Sequence, residues 1–116
     1  MGNVLYEKSF MFAVDIVALA EELVNRRKYE LASQILRSGT SVGANIAESE
    51  YGQSNADFVS KLSIALKEAS ESRYWLKLLA ATGNIPEEKS KQLINKADEI
   101  IRILTASIKT AKQKAQ

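Results

Sequence analysis

Hydrophobic residues recur every three to four positions along most of the chain, and no segment alternates strictly between apolar and polar residues. The first spacing is typical of amphipathic α-helices, and the second is typical of strands. Gly52, Gly83 and the only proline, Pro86, fall between the periodic segments. We therefore predict four helices and no strand, with the helices at about residues 6–27, 30–51, 55–82 and 86–112. Since short loops join them, residues 1–116 are predicted to form one domain, an all-α antiparallel up-down-up-down four-helix bundle.

The first predicted helix is apolar over more of its surface than a bundle helix requires. Twelve of the 15 residues from Phe10 to Val24 are apolar, whereas one core-facing stripe needs little more than about a third of the circumference. One stripe consists of Phe10, Ala13, Val17, Ala20 and Val24, and a second consists of Phe12, Ile16, Leu19 and Leu23. One stripe should face the core, and the other would be an exposed apolar patch of the kind that marks an interface. The pattern leaves open which stripe does which.

The interface candidates of the first helix are the residues of the second stripe, Phe12, Ile16, Leu19 and Leu23. They would form a contact between copies of this chain, so the expected partner is the protein itself. The alternative is that the first helix is simply the most buried helix of a monomer.

The middle of the second predicted helix is small and polar, in the string QILRSGTSVGANIAE at residues 34–48. Gly39 and Gly43 lie about one turn apart, a spacing that lets a neighbouring backbone approach closely. Each glycine should destabilise a helix interior by roughly 1 kcal/mol relative to alanine. Either a close contact offsets that loss, or the fold tolerates low stability. Both glycines are interface candidates, as is Trp75 of the third helix, a large amphipathic side chain suited to a core or an interface.

Arg37 and Glu48 are three turns apart on the second helix, too far to pair with each other. We predict that Arg37 pairs instead with Glu71 of the third helix, within one chain or between chains. Removing one partner of such a pair would destabilise the fold or its assembly.

The chain contains no cysteine and no histidine. It therefore has no disulfide framework or thiolate metal site, and it lacks the commonest general base and transition-metal ligand. Glu48, Glu68 and Glu71 could form a carboxylate cluster, but the di-iron sites of four-helix bundles also use Glu-x-x-His motifs. No phosphate-binding glycine loop or catalytic triad pattern is present. We predict a non-enzymatic protein with no metal and no other cofactor.

The net charge of +2 is too small to argue strongly for a nucleic-acid partner. Basic residues cluster after the first helix and near the end of the fourth, where they suit helix C-termini; contact with phosphates is the alternative. The candidate nucleic-acid contacts are Arg26, Arg27, Lys28, Lys109, Lys112 and Lys114. The apolar run at residues 10–19 is interrupted by Asp15 and shorter than the roughly 20 residues that a membrane span needs. Without a signal-peptide pattern, we expect a cytoplasmic protein with no membrane partner.

The residue 34–48 string, followed by SNADF and LSIALKEASESRYWLKLL, resembles a family of small bacterial four-helix-bundle proteins encoded in intervening sequences of 23S ribosomal RNA genes. The family pattern falls on Gln34, Arg37, Ser38, Ser41, Asn45, Glu48 and Glu71. The resemblance implies a homopentameric ring without an established molecular function. A related family, the accessory proteins of diversity-generating retroelements, implies a second class of function, with a reverse transcriptase and nucleic acid as partners. The two hypotheses are thus a homo-oligomeric scaffold or interaction module, and an accessory protein that binds RNA, DNA or a nucleic-acid enzyme.

Overall fold

The computed structural model describes the backbone of residues 2–114 and the side chains of residues 4–114. These residues form four helices and no strand; the helices are α1 (Gly2–Asn25), α2 (Tyr29–Ser49), α3 (Asn55–Ala81) and α4 (Glu87–Lys114). Each helix packs against the next along the chain, and α4 returns beside α1. The described chain is thus an up-down-up-down bundle that measures 49 × 21 × 19 Å. The prediction of an all-α four-helix bundle is confirmed.

The helix boundaries differ from the predicted ones mainly at the start of α1. The helix extends back to Gly2, because Leu5 is buried in the core and anchors an extra turn. α3 begins where the sequence predicts, since the hydroxyl of Ser54 accepts a hydrogen bond from the backbone amide of Asp57 at 3.1 Å. This bond satisfies one free amide of the first turn, and the carboxylate of Asp57 complements the helix dipole there.

α1 and α3 end in the same backbone motif but carry different residues at its left-handed position. In each, one amide bonds back five residues and the preceding amide bonds back three, which defines a Schellman motif. The bonds are Lys28 to Leu23 (2.8 Å) and Arg27 to Val24 (2.9 Å) after α1, and Asn84 to Leu79 (2.8 Å) and Gly83 to Ala80 (3.0 Å) after α3. The left-handed residue is Arg27 at φ 64° in the first motif and Gly83 at φ 74° in the second.

These two positions should respond in opposite directions to substitution. Arg27→Gly is expected to stabilise the protein by about 1 kcal/mol, and Gly83→Ala to destabilise it by about the same amount, because only glycine adopts positive φ without steric strain. A Cβ at position 83 would have no atom within 4 Å, so φ alone determines that result. Urea denaturation at fixed protein concentration measures both shifts. Unchanged midpoints for both variants would contradict the left-handed conformation.

The core contains one apolar stripe from each helix. Its largest fully buried side chains are Phe12, Ile16, Leu19, Leu23, Ile35, Val42, Ile46, Leu62, Leu76, Leu79, Ile100 and Leu104. Together they form a single cluster with smaller residues such as Ala65 and Ala97. Burial of this apolar surface is the main force that holds the four helices together.

The core corrects the interface prediction for Phe12, Ile16, Leu19 and Leu23. All four are fully buried inside their own chain, because this stripe is the one that α1 turns towards its neighbours, so it cannot meet another subunit. Most of the first stripe is exposed: Phe10, Val17 and Val24 retain 53%, 40% and 44% of their surface, whereas Ala20 is buried. Within the described chain, α1 is therefore not buried on all sides.

Candidate interaction surfaces

Each pair of adjacent helices forms one side of the bundle, and the four sides differ in chemistry. We name them by their helices: the α1–α2, α2–α3, α3–α4 and α4–α1 sides. The α4–α1 side is closed by ion pairs, Lys8 with Glu99 at 3.1 Å and Lys96 with Asp15 at 2.7 Å. The other three sides contain the residues that the sequence pattern singled out.

The α2–α3 side gathers most of the sequence motif. Arg37 forms ion pairs with Glu71, as predicted, and with Glu68, whose Oε1 lies 3.1 Å from Nη1 of Arg37. The indole Nε1–H of Trp75 donates to the same Glu71 carboxylate at 3.0 Å. One guanidinium and one indole thus share two neighbouring carboxylates, and the cluster joins α2 to α3 within one chain.

Directly beneath this cluster, two buried serines allow the helices to approach closely. The hydroxyl of Ser72 donates to that of Ser38 at 3.0 Å, and neither side chain is exposed to solvent. A small hydroxyl pair brings the two backbones closer than leucines would, and it leaves no buried polar group without a partner. The sequence analysis missed Ser72 as the partner of Ser38. A serine within the apolar stripe of the third helix could have indicated a buried polar contact.

The remaining motif residues act locally. The hydroxyl of Ser41 donates to the carbonyl oxygen of Arg37 at 2.7 Å, and the side-chain amide of Asn45 donates to the carbonyl oxygen of Ser41 at 2.9 Å, both within α2. Glu48 accepts from Nζ of Lys61 at 2.8 Å. Gln34 is exposed.

Trp75 lies on the α2–α3 side of its own chain, and its role as a subunit-interface candidate stays a prediction. Its ring is partly buried against the core of its own chain. The rings of Trp75 and Tyr74 meet edge to face at a centroid distance of 5.1 Å. The bond to Glu71, one turn earlier on α3, fixes the indole on the α2–α3 side.

The two glycines of α2 contact α1 of the same chain. A Cβ on Gly39 would lie 2.7 Å from Cγ2 and 2.8 Å from Cγ1 of Ile16, and a Cβ on Gly43 would lie 3.4 Å from the carbonyl oxygen of Ser9. The predicted close approach is therefore real at Gly39, but it packs one bundle and does not join two subunits. As a subunit-interface candidate, Gly39 is wrong.

The outer surface of the α1–α2 side is an apolar strip. Its exposed residues share the surface of α1 away from the core and the adjoining surface of α2; they are Tyr6, Phe10, Val14, Val17, Val24, Tyr29 and Leu36. The Tyr6 and Phe10 rings stack at a centroid distance of 6.0 Å. A continuous apolar strip of this kind on a small protein commonly marks a contact surface.

The candidate nucleic-acid contacts do not form one patch. Arg26, Arg27 and Lys28 follow α1, whereas Lys109, Lys112 and Lys114 end α4, and these helix ends lie at opposite ends of a 49 Å bundle. Arg26 also donates to the carbonyl oxygen of Asn84, which ties the first group to the α3–α4 loop. In the second group, Lys112 and Lys114 lie in the last turn of α4, where their charge complements the helix dipole.

Within residues 2–114, no three acidic side chains are grouped so that they could hold a metal ion, and Glu48 lies with Lys61 and not with Glu68 and Glu71. None of the four described helices combines the length and apolarity required to cross a membrane.

Comparison with known proteins agrees with this architecture. The family model described as 23S rRNA-intervening sequence protein matches residues 2–106. The chain belongs to this family. The match extends from α1 into α4 and includes the whole α2–α3 side, but it stops before Lys109, so the C-terminal lysines of the chain lie outside it.

A solved relative has the same fold. It is a Bacteroides thetaiotaomicron VPI-5482 protein described as being of unknown function and from the S23 ribosomal protein family; it is 51% identical, with a TM-score of 0.88 over 90% of this chain and 98% of its own. Among curated proteins, none matches the chain. Neither the family description nor the description of the relative names an enzymatic activity, and the relative is described as a protein of unknown function.

Proposed function

We propose that the protein is a non-enzymatic homo-oligomeric scaffold or interaction module whose copies meet through the α1–α2 side. The observation that carries this proposal is the apolar strip on that side. It remains after the second stripe of α1 has been placed in the core, so the chain has more apolar surface on α1 than its own fold can bury.

The strip is built from matched positions on the two helices. The contacts of Gly39 with Ile16 and of Gly43 with Ser9 set the antiparallel register of α1 and α2. In this register Phe10 is level with Gly43, and the next pairs of the strip are Val17 with Leu36 and Val24 with Tyr29. These pairs are seven residues apart, the repeat with which helices pack into one another along a seam.

Burial of the strip would stabilise an assembly substantially. Each large apolar side chain that leaves water contributes about 1.5–3 kcal/mol before the costs of association. Glu21 is the only charged residue that interrupts the surface of α1 between Phe10 and Val24 on this side. The strip therefore has the few charges that are typical of the buried centre of an interface.

We further propose a ring of five copies, the assembly that the family resemblance implies. A closed ring requires a head-to-tail contact, in which the α1–α2 side of one copy meets a different surface of the next. Five equivalent contacts would cover the strip on every copy, which explains why one chain can carry an exposed stacked pair such as Tyr6 and Phe10.

Phe10→Glu tests the proposed contact, and Met11→Glu is its matched control. Both residues lie on α1 and are similarly exposed, at 53% and 55%, but Met11 faces the α4–α1 side. Native mass spectrometry and sedimentation velocity should show the parent and Met11→Glu at five times the 12.8 kDa chain mass. Phe10→Glu should give folded monomers, because the contact would bury an unpaired charge.

Two results would overturn the proposed contact. One is a parent protein that is monomeric at micromolar concentration. The other is equal dissociation of the two variants, which would mean that added negative charge on α1, and not loss of the strip, separates the copies. Far-UV circular dichroism of each variant checks that the helices are intact.

A further inference from the structure

The outer surface of the α3–α4 side carries five cations that take no part in an ion pair between the described residues. All five are exposed; they are Lys67, Lys77, Lys91, Arg102 and Lys109. The net charge of +2 does not indicate such a group, because it also counts the acidic residues, most of which lie elsewhere in the bundle.

Helical geometry places these cations on one surface. At 3.6 residues per turn, Lys67 and Lys77 fall within an arc of about 80° on α3, together with Ser63, Ser70 and Tyr74. On α4, Lys91, Arg102 and Lys109 fall within an arc of only about 20°. The ion pair of Arg73 with Asp98 marks the seam between the two helices, and the cations flank it on both sides.

The register of α3 and α4 brings cations of the two helices level with each other. Three contacts fix it: the Asn55 amide to the Ala111 carbonyl oxygen at 3.0 Å, the Ser90 hydroxyl to the Leu76 carbonyl oxygen at 3.0 Å, and Arg73 Nε to Asp98 Oδ1 at 2.6 Å. Lys67 is then level with Arg102, and Lys77 with Lys91. At 1.5 Å per residue, the row from Lys91 to Lys109 is about 27 Å long.

The acidic residues of α3 and α4 do not neutralise this row. Glu68 and Glu71 turn towards Arg37, and Glu99 pairs with Lys8. Asp57 lies beside the α2–α3 loop, and Glu87 and Glu88 occupy the first turn of α4, at one end of the row.

From this arrangement, we propose that the α3–α4 side binds the phosphate backbone of single-stranded RNA. A row of cations about 27 Å long fits an extended polyanion better than a single small anion, because several phosphates of one strand can lie along it. The exposed ring of Tyr74 beside Lys67 and Lys77 offers a surface on which a base can stack, which an acidic peptide would not use. Ser63 and Ser70 add hydroxyl donors for phosphate oxygens.

This site goes beyond the proposed self-association and does not depend on it. The α3–α4 side lies across the bundle from the apolar strip, so the two surfaces do not overlap on one copy. In an assembly the row would be repeated once per copy, and the repeated rows would raise the affinity for a long strand through avidity.

The test is binding of a fluorescein-labelled single-stranded RNA of about 20 nucleotides, followed by anisotropy between about 50 and 200 mM salt. For five phosphate contacts per chain, the logarithm of the binding constant should fall with the logarithm of salt concentration with a slope of about −3.5. The variant Lys67→Gln, Lys77→Gln, Arg102→Gln should reduce that slope by about two and weaken binding at least about tenfold.

The matched control is Arg27→Gln, Lys28→Gln, Lys89→Gln. It removes the same number of exposed positive charges, but it does so at the end of the bundle where α1 ends and α4 begins. This control should bind the RNA like the parent. Native mass spectrometry should give the same number of copies for both variants, so that lost avidity does not imitate a lost contact.

Four outcomes would overturn the proposal: no RNA binding at low salt, equal weakening of the two variants, weakening of the control alone, or binding only to vesicles of anionic phospholipid. The second would assign binding to overall charge, and the third to the bundle ends. The fourth would assign the row to a membrane surface. None of these outcomes would affect the α1–α2 contact, which is tested separately by Phe10→Glu.

Discussion

Gly39→Ala is expected to destabilise the protein by about 1–3 kcal/mol, although alanine is the better helix former by about 1 kcal/mol. The added Cβ would lie less than 3 Å from two carbon atoms of Ile16. Ile16 is fully buried, and its β-branched side chain is stiff at χ1, so it has no free space to move into. Separation of α1 from α2 is the remaining way to relieve the clash, and it would loosen the core packing around Ile16.

Gly43→Ala is the matched control and should have the opposite sign. Its Cβ would meet Ser9 at 3.4 Å, an ordinary contact distance, so the gain in helix propensity should stabilise the protein by up to about 1 kcal/mol. Urea denaturation at one protein concentration measures both variants. If both glycines respond with the same sign, the close contact at Ile16 does not control the packing of α1 on α2.

The double variant Gly39→Ala, Ile16→Ala locates the clash. Ile16→Ala alone should destabilise by about 2–5 kcal/mol, because it leaves a cavity in the core. In the double variant the new Cβ fills part of that cavity, so its loss of stability should be smaller than the sum of the two single losses. Additive losses would place the effect of Gly39→Ala somewhere other than Ile16.

The opposite effects expected for these two glycines show which features of the helix contact can be predicted from the sequence and which cannot. The spacing of Gly39 and Gly43 predicts a close helix contact, and the structure has one. It does not say which helix approaches or which glycine needs the space, since both depend on the rotation of α1 about its axis. The same rotation decides between the two apolar stripes of α1, because each stripe is continuous enough in sequence to face a core. Only packing against α2 and α4 places Phe12 inside and Phe10 outside.

The sequence predicts the ion pair of the α2–α3 side, but it does not predict the row of cations on the α3–α4 side. Arg37 has no partner within reach on its own helix, so an acidic partner on the third helix could be predicted. The cations of the α3–α4 side are spread singly over more than 40 residues of sequence, from Lys67 to Lys109, and they resemble an ordinary solvated surface. They become neighbours only through the register of two antiparallel helices, which contacts such as Arg73 with Asp98 determine.

Arg37→Ala should destabilise the protein by about 1–3 kcal/mol, less than the roughly 3–5 kcal/mol for breaking a fully buried pair, because the arginine side chain is 48% exposed. The stability is lost mainly because two carboxylates remain without their cation. Glu68 and Glu71 are only 15% and 30% exposed, and they would face each other on adjacent turns without a cation. Lys61→Ala is the control, since its pair with Glu48 is more exposed and should contribute at most about 1 kcal/mol.

A protein that carries Glu68→Gln and Glu71→Gln separates two causes of this loss of stability, the unpaired carboxylates and the lost packing of the Arg37 side chain. Without the carboxylates, Arg37→Ala leaves no unpaired charge behind, so it should change the urea midpoint much less than it does in the parent. A similar loss in both backgrounds would show that the aliphatic part of Arg37 packs α2 on α3 and that the ion pairs are secondary. If Arg37→Ala unfolds and sediments like the parent, the cluster does not hold α2 and α3 together. The buried contact of Ser38 with Ser72, beneath it, would then be the polar link that fixes their distance.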